Sequence, residues 1–441
     1  MKKWKGIKIL AGILLFALYL PLLQGYLHLI DIPSLQGAYL EPEKPIFNFK
    51  NWFSSEYQDK EDLYISKKFG LADFFIRLHN QIDFTFFDKL HSQKVKRGKN
   101  DYLFADNYIT SYNGYDFCGD GYIYNQVKKI KLIQDTLSKL NKTFILIIAP
   151  GKAYFFPEYI PDTLKNTNRN STNYYSYTKY LKKESVNLID FNGYFITHKN
   201  NSQYLLYPKT GIHWSFYGKV IVMDSIIKYV ENKRNIDFPG ISWSEVEMSE
   251  AKGDDKDIEE SLNLLFQIPG PQYAYPKIIF DIDSNKKRPS VWAVGDSFYG
   301  GLFMDGFHNI FSKNSQFWYY NVQIMYPNKN ELYHRTQFDL TKEIKEHEVF
   351  IVSSTEAGLK QIGWNWIENM YHYFYKNGSL SSYDQKFNKY VLEYRNKFEK
   401  DSEMMSKTRT DAIANKISVD SMLTLEAIWK VEYDLRDHKL K

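Results

Sequence analysis

"PSVWAVGDSFYGG", Pro289 to Gly301, joins a short apolar run to Gly-Asp-Ser and then to small and aromatic residues. A short, continuous apolar run is expected of a strand covered on both faces. Phe298, Leu302, Phe307, Ile310 and Phe311 then mark one apolar side of a helix. Ser297 would therefore sit in a strand-to-helix turn, where open α/β sheets bind their ligands. It has two readings, a helix N-cap or a nucleophile. Its partners elsewhere in the chain must decide.

Elsewhere in the chain, "TFILIIAP", "SVNLID" and "EVFIVSS" repeat the buried-strand pattern. Before the first of them, Val127, Ile130, Ile133, Leu137 and Leu140 recur at helical spacing, and after "SVNLID" the stretch "GIHWSFYGKVIVMDSIIKYV" reads as a loop opening a helix. Strands alternating with helices predict an α/β fold, a parallel sheet flanked by helices. Its expected limits are 93–365, with an insertion at about 241–287. That insertion holds the acidic run "GDDKDIEESLNLLFQ", which reads as a solvated loop with a short helix or as a substrate-facing flap. Residues 31–92 read as a stalk followed by a helical region, and 366–441 as a helical C-terminal appendage.

At 441 residues the chain is too long for one small domain, and 44% hydrophobic residues suffice for a real core. Aromatics reach 17%, including 36 Tyr and 31 Phe, which fill cores and, where exposed, stack against sugar rings. The net charge of +5 is spread out, with no basic block interleaved with aromatics, so no nucleic-acid partner is expected. The single cysteine, Cys118, excludes an intramolecular disulfide and a multi-cysteine zinc site. Lys2, Lys3, Lys5 and Lys8 precede an uncharged stretch from Ile9 to Ile30. As a helix that stretch matches the thickness of a bilayer core, about 30 Å. With no small-x-small site at its end, residues 1–30 read as an uncleaved anchor rather than a signal peptide. The lysines then keep the N-terminus cytoplasmic and place the rest on the extracytoplasmic, periplasmic face of the membrane.

A serine hydroxyl needs a base to take its proton. His213, in "LLYPKTGIHWSFYG", stands in a loop rich in turn residues just before a helix; the alternative is an ordinary structural histidine. Triads need only spatial proximity, so chain order is free. A helix starting at Ser297 would offer its backbone N–H to an oxyanion. Asn321, in "WYYNVQIMYP", is either a second donor or a turn residue. There is no H-E-x-x-H, no convincing metal-ligand spacing and no phosphate-binding glycine loop, so neither metal nor cofactor is expected. Glu368 and His372, one helical turn apart, read as a surface pair.

Taken together, "VGDSF", "YPKTGIHWSFYG", "VKRGKNDYLFADNYI", "IIAPGKAYFFPEYIP" and "IVSSTEAGL" resemble the SGNH-hydrolase-like acetyltransferase family of the alginate O-acetylation type. The likeness runs from about Asp73 to Gly363. It implies a nucleophile at Ser297 and a base at His213. In the family an aspartate usually stands two residues before that histidine, where this chain has Gly211. The orienting carboxylate is then missing or supplied from elsewhere, with Glu356, Asp190 and Asp296 as candidates. Arg77 resembles an arginine of the family's N-terminal region, with a structural role.

The resemblance implies an extracytoplasmic O-acetyltransferase of a cell-surface or secreted polysaccharide, working through an acetyl-serine. Its expected partners are the polysaccharide acceptor, a membrane-bound O-acyltransferase that supplies acetyl groups, and the membrane itself. A carbohydrate esterase of the same fold shares every step up to the acyl-enzyme. The glycine at 211 motivates a third reading, a non-enzymatic component of a polysaccharide synthesis or export complex.

Overall fold

The computed structural model describes the chain apart from residues 1, 37–43, 93, 168, 170, 284, 328–332, 336–337, 377–381, 415–418 and 437–441. The expected stalk thus lies partly outside the described residues, as do short pieces of the C-terminal region. The apolar N-terminus forms α1 (Lys2–Leu27), and its segment Leu10–Leu27 is long and apolar enough to cross a membrane. Three helices follow, α2 (Phe49–Phe53), α3 (Glu56–Lys68) and α4 (Ala72–Phe86). An antiparallel hairpin of β1 (Val95–Arg97) and β2 (Leu103–Ala105) comes next.

The α/β part begins with α5 (Asp106–Tyr112), α6 (Asp120–Lys139), β3 (Thr143–Ala149), α7 (Lys152–Phe155) and α8 (Asn173–Lys183). It continues through β4 (Leu188–Asp190), α9 (Phe191–His198), α10 (Phe216–Arg234), β5 (Ile241–Ser249), α11 (Asp257–Ser261) and β6 (Tyr273–Phe280). Next come β7 (Val291–Gly295), α12 (Ser297–Met304), β8 (Gln316–Tyr319), β9 (Gln323–Met325) and β10 (Tyr333–His334). The last elements are α13 (Leu340–Glu346), β11 (Val349–Thr355), α14 (Trp366–Tyr375), α15 (Ser382–Glu399), α16 (Ser402–Ala414) and α17 (Val419–Arg436).

The main sheet has the order β10-β9-β8-β7-β11-β3-β4. From β8 to β4 all neighbours are parallel, as expected, but β9 and β10 turn back antiparallel at one edge. The sheet is therefore mixed. A left-handed turn at Tyr320 and Asn321 (φ 51 and 57) permits that reversal directly after β8.

The central strands are largely apolar because both faces are covered. In β3, Ile145, Ile147 and Ala149 join one cluster with Phe191, Phe195, Met223, Ile226 and Leu302 from α9, α10 and α12. The alternate residues Phe144, Leu146 and Ile148 join another, with Ile130, Ile133, Tyr177, Leu181 and Trp366 from α6, α8 and α14. β7 and β11 alternate in the same way. Each such side chain taken out of water contributes about 1.5–3 kcal/mol. β5 and β6 pair outside the main sheet, and the acidic run with α11 lies between them. The C-terminal helices share a separate small cluster built on Phe387, Val391, Ala427, Ile428 and Val431.

Candidate active site

Ser297 is the first residue of α12, directly after β7. The preceding Asp296 is the N-cap: its buried carboxylate accepts from Phe298 N at 3.2 Å and from Thr355 N at 2.7 Å. That second bond ties the end of β7 to the end of β11 and fixes the turn that presents Ser297. Burial raises the Asp296 pKa, and these hydrogen bonds oppose the rise. The first N–H groups of a helix have no partner within it, so α12 offers positive dipole character where Ser297 stands.

His213 comes from the irregular loop before α10. Ser215 caps that helix through Gly218 N at 3.0 Å, which sets the direction in which the chain enters. The His213 Nε2 lies 2.8 Å from Ser297 Oγ, and its ring packs on Phe298 with centroids 4.8 Å apart. On the other side, His213 Nδ1 lies 2.6 Å from Asp257 Oδ2. The other carboxylate oxygen of Asp257 accepts from Ile212 N at 2.7 Å. A carboxylate only accepts, so His213 Nδ1 carries the proton and Nε2 is left to accept from the serine hydroxyl. Serine, imidazole and carboxylate in this order can move a proton off Oγ as it attacks a carbonyl.

Asp257 opens α11 inside the acidic run that reads, from sequence, as solvated loop or flap. A set of specific anchors holds that run against the His213 loop. Lys219 pairs with Asp254 at 3.2 Å and Asp305 at 2.5 Å, and the Tyr275 hydroxyl donates to Asp255 at 2.7 Å. Burial pushes Asp255 up to about 6. Glu259 N donates to Thr210 O at 3.2 Å, stitching α11 to the loop itself.

The same packing explains Gly211. A Cβ there would lie 2.8 Å from both the carbonyl carbon and the oxygen of Asp255, and closer still to the Asp254 carbonyl oxygen. The 254–257 segment fills the space that an aspartate side chain at 211 would need. Beneath the loop, the buried Lys152 ammonium donates to Lys209 O at 2.8 Å and Gly211 O at 2.5 Å. Burial lowers its pKa to about 7, against the pull of the Asp257 carboxylate.

The carboxylates expected as partners for His213 lie elsewhere. Asp190 caps α9, accepting from Gly193 N and the Tyr174 hydroxyl, each at 2.9 Å. Glu356 is fully buried after β11, and its burial, with Asp116 nearby, pushes it up to about 8, offset only partly by the Ser111 hydroxyl. Asp296 is committed to backbone N–H groups on both sides. None of the three hydrogen-bonds His213, whose ring nitrogens face Asp257 and Ser297. Asn321 is a left-handed turn residue whose amide donates to Trp364 O at 2.8 Å. Arg77 braces the N-terminal region as expected, donating to Ser34 O at 3.0 Å and Leu264 O at 3.3 Å. Glu368 pairs with Lys129 at 2.6 Å on the outer helices.

Sequence reasoning missed two features. Asp257 was hidden among near-identical acidic neighbours; the one available signal was the glycine at 211, which demands a carboxylate from elsewhere. Tyr320 lies beside Ser297, tilted against Tyr319 and edge-on to Trp364, at centroid distances of 4.5 and 5.0 Å. It forms a partly exposed aromatic wall to the site.

Residues 95–265 match the family model described as SGNH hydrolase-like domain, acetyltransferase AlgX. The match takes in His213 and Asp257 and ends before Ser297. No curated protein matches the chain. Among solved structures, the O-acetyltransferase domain of Pseudomonas putida AlgJ is similar at 16% identity and a TM-score of 0.42, covering 63% of this chain and 98% of that one. Bacillus cereus PatB1 is similar at 12% identity and a TM-score of 0.38, covering 60% of this chain and 96% of that one. Pseudomonas aeruginosa AlgX follows at 11% identity and a TM-score of 0.35, covering 59% of this chain and 55% of that one. The likeness to that family model is thus confined to residues 95–265, less than half of the chain.

Proposed function

We propose that the protein is an extracytoplasmic polysaccharide O-acetyltransferase that works through an acetyl ester on Ser297. One observation carries the reading: the unbroken line from Asp257 through His213 to Ser297 Oγ, at 2.6 and 2.8 Å. Ser297 Oγ attacks the donor's acetyl carbonyl while its proton passes to His213 Nε2. The negative oxygen that forms is held by the Ser297 N–H at the start of α12. The donor's leaving group departs with the proton from His213, and the acetyl group stays on Oγ. A sugar hydroxyl then gives its proton to His213 and attacks the ester carbonyl, and Ser297 Oγ leaves and is reprotonated. The Tyr320 ring supports a sugar acceptor, since aromatic faces stack on sugar rings.

The apolar α1 supports attachment to a membrane, beside a membrane-bound O-acyltransferase that would supply acetyl groups. The lysines before it favour a cytoplasmic N-terminus. An esterase would use water in the last step and nothing else would differ. The reading as a non-enzymatic component rested on Gly211; the Asp257 carboxylate against His213 favours the enzyme. The test is intact mass after exposure to an activated acetyl ester. Wild type should gain one acetyl group on Ser297, Ser297→Ala none, and added oligosaccharide should discharge it as acetylated sugar. Failure of wild type either to acylate or to turn over the ester would sink the proposal. Discharge to acetate alone would favour the esterase.

A further inference from the structure

The end of α4 gathers three side chains that acyl transfer does not use. His79 and Asp83 are one helical turn apart and so share a face. After Phe86 the chain reverses through Asp88 (φ 50), with Phe87 N and Lys89 N both donating to the Asp83 carbonyl at 3.1 Å. That reversal carries His91 back over the same face. His91 Nε2 lies 2.6 Å from Asp83 Oδ2 and His79 Nε2 lies 3.6 Å from that same oxygen. The two imidazole rings stand 5.0 Å apart, and one ligand atom from each of the three residues falls within 4.8 Å of the others.

We propose that His79, Asp83 and His91 form a binding site for a divalent transition metal of the zinc class. Two imidazoles converging from separate segments on one shielded carboxylate oxygen exceed what a simple ion pair requires. The donor set, two nitrogens and one carboxylate, suits zinc, cobalt, nickel or copper rather than magnesium or calcium. Around zinc, ligand atoms sit about 2.0–2.2 Å from the metal, which places them about 3.3 Å from one another in a tetrahedron. The observed His91–Asp83 and His79–Asp83 spacings, 2.6 and 3.6 Å, lie on either side of that value. The Asp83 side chain is only 12% exposed and acts as the fixed ligand, while that of His79 is 63% exposed and free to adjust. Solvent completes the fourth position.

Lys89 Nζ, 3.2 Å from the same Asp83 oxygen, balances its charge when metal is absent. Its side chain is 61% exposed, so it can swing out when the dication enters. Bound metal would clamp the last turn of α4 to the returning loop. The next residue, Phe84, packs with Ile258 and Leu262, adjoining Asp257, so the clamp would brace the floor under the acidic segment.

The test is zinc titration of tag-free, chelator-stripped full-length protein, read by calorimetry and by thermal unfolding. Wild type should bind one zinc per chain and melt at a higher temperature with it. His79→Ala and His91→Ala should each weaken binding by about tenfold or more, while Lys89→Ala, which removes the competing cation, should tighten it severalfold. With cobalt as probe, the visible absorption of a nitrogen-bearing site should appear in wild type and vanish in the double histidine variant. His79 is exposed, so its alanine variant folds as wild type does. Absence of binding in wild type, or equal binding in wild type and the double variant, would overturn the proposal.

Discussion

Replacing Asp257 by asparagine removes the charge from the candidate triad while keeping its shape. In wild type the two carboxylate oxygens face two donors, Ile212 N–H at 2.7 Å and His213 Nδ1–H at 2.6 Å. Asparagine has one acceptor oxygen for both. The backbone N–H cannot change character, so the oxygen stays with Ile212 and the amide NH2 faces the imidazole. His213 Nδ1 must then accept, its proton moves to Nε2, and Nε2 donates to Ser297 Oγ instead of accepting from it. The base becomes the wrong tautomer. The lost attraction between a carboxylate and the imidazolium formed during attack is about 4 kcal/mol for charges about 4 Å apart near a protein surface. That is a factor of about 10³ in rate, and the wrong tautomer brings the expected loss to about 10³–10⁴. The assay is turnover of an activated acetyl ester. The loss should fall on kcat with little change in KM, because the ester itself does not touch Asp257. Asp190→Asn and Glu356→Gln, which alter carboxylates held away from His213, should stay within severalfold of wild type. Asp257→Asn retaining more than about a tenth of wild-type turnover would show that the Asp257 carboxylate does not serve His213.

Gly211→Ala should cost about 1–3 kcal/mol of stability by overpacking and also lower turnover, since the backbone it strikes leads straight into Asp257; urea midpoints and ester turnover check both, and an unchanged variant would show that the segment yields. Gly211→Asp placed on Asp257→Asn should fail to restore turnover, for the same lack of room; recovery would contradict the geometry. Glu356 holds its proton in the folded state up to about 8, against 4.5 ordinarily. Its contribution to stability is therefore complete below the ordinary value and is lost as pH rises toward the folded one. Relative to wild type, Glu356→Gln should gain about 3 kcal/mol between pH 4.5 and 7; parallel stability curves across that window would show that Glu356 is charged in the fold.

How much of this was legible depends on whether a signal is local. The strands of the sheet were readable because each is short, unbroken and apolar, and the structure puts alternate residues of β3 into two different clusters. Ser297 and His213 were readable because strand ends and helix starts are marked by small and capping residues beside them. The antiparallel edge was not: β9 and β10 are too short, at 3 and 2 residues, to show a period. Asp257 was not readable for a different reason. It lies 44 residues beyond His213, and Asp254, Asp255, Glu259 and Glu260 look equally eligible. Only tertiary partners separate them. Lys219 takes Asp254, Tyr275 takes Asp255 and Ile268 N takes Glu259, leaving Asp257 turned toward the imidazole.

The glycine at 211 and the displaced carboxylate follow from one constraint on the loop before His213. This loop is irregular and largely buried, so its backbone polar groups need partners other than a ladder. Side chains supply them: Lys152 takes the carbonyls of Lys209 and Gly211, the Tyr207 hydroxyl donates to Ile212 O at 2.7 Å, and Asp257 accepts from Ile212 N. A buried ammonium beneath the loop is costly unless a negative charge lies near it, and the Asp257 carboxylate is that charge. Asp257 therefore orients the imidazole, holds the backbone that carries it, and partly neutralises the lysine that supports that backbone. An aspartate at 211 would have to displace the Asp254 and Asp255 backbone, and with it the anchors to Lys219 and Tyr275. With the acidic segment seated in this way, the carboxylate can arrive only from the segment itself, and residue 211 is left with room for nothing beyond a hydrogen.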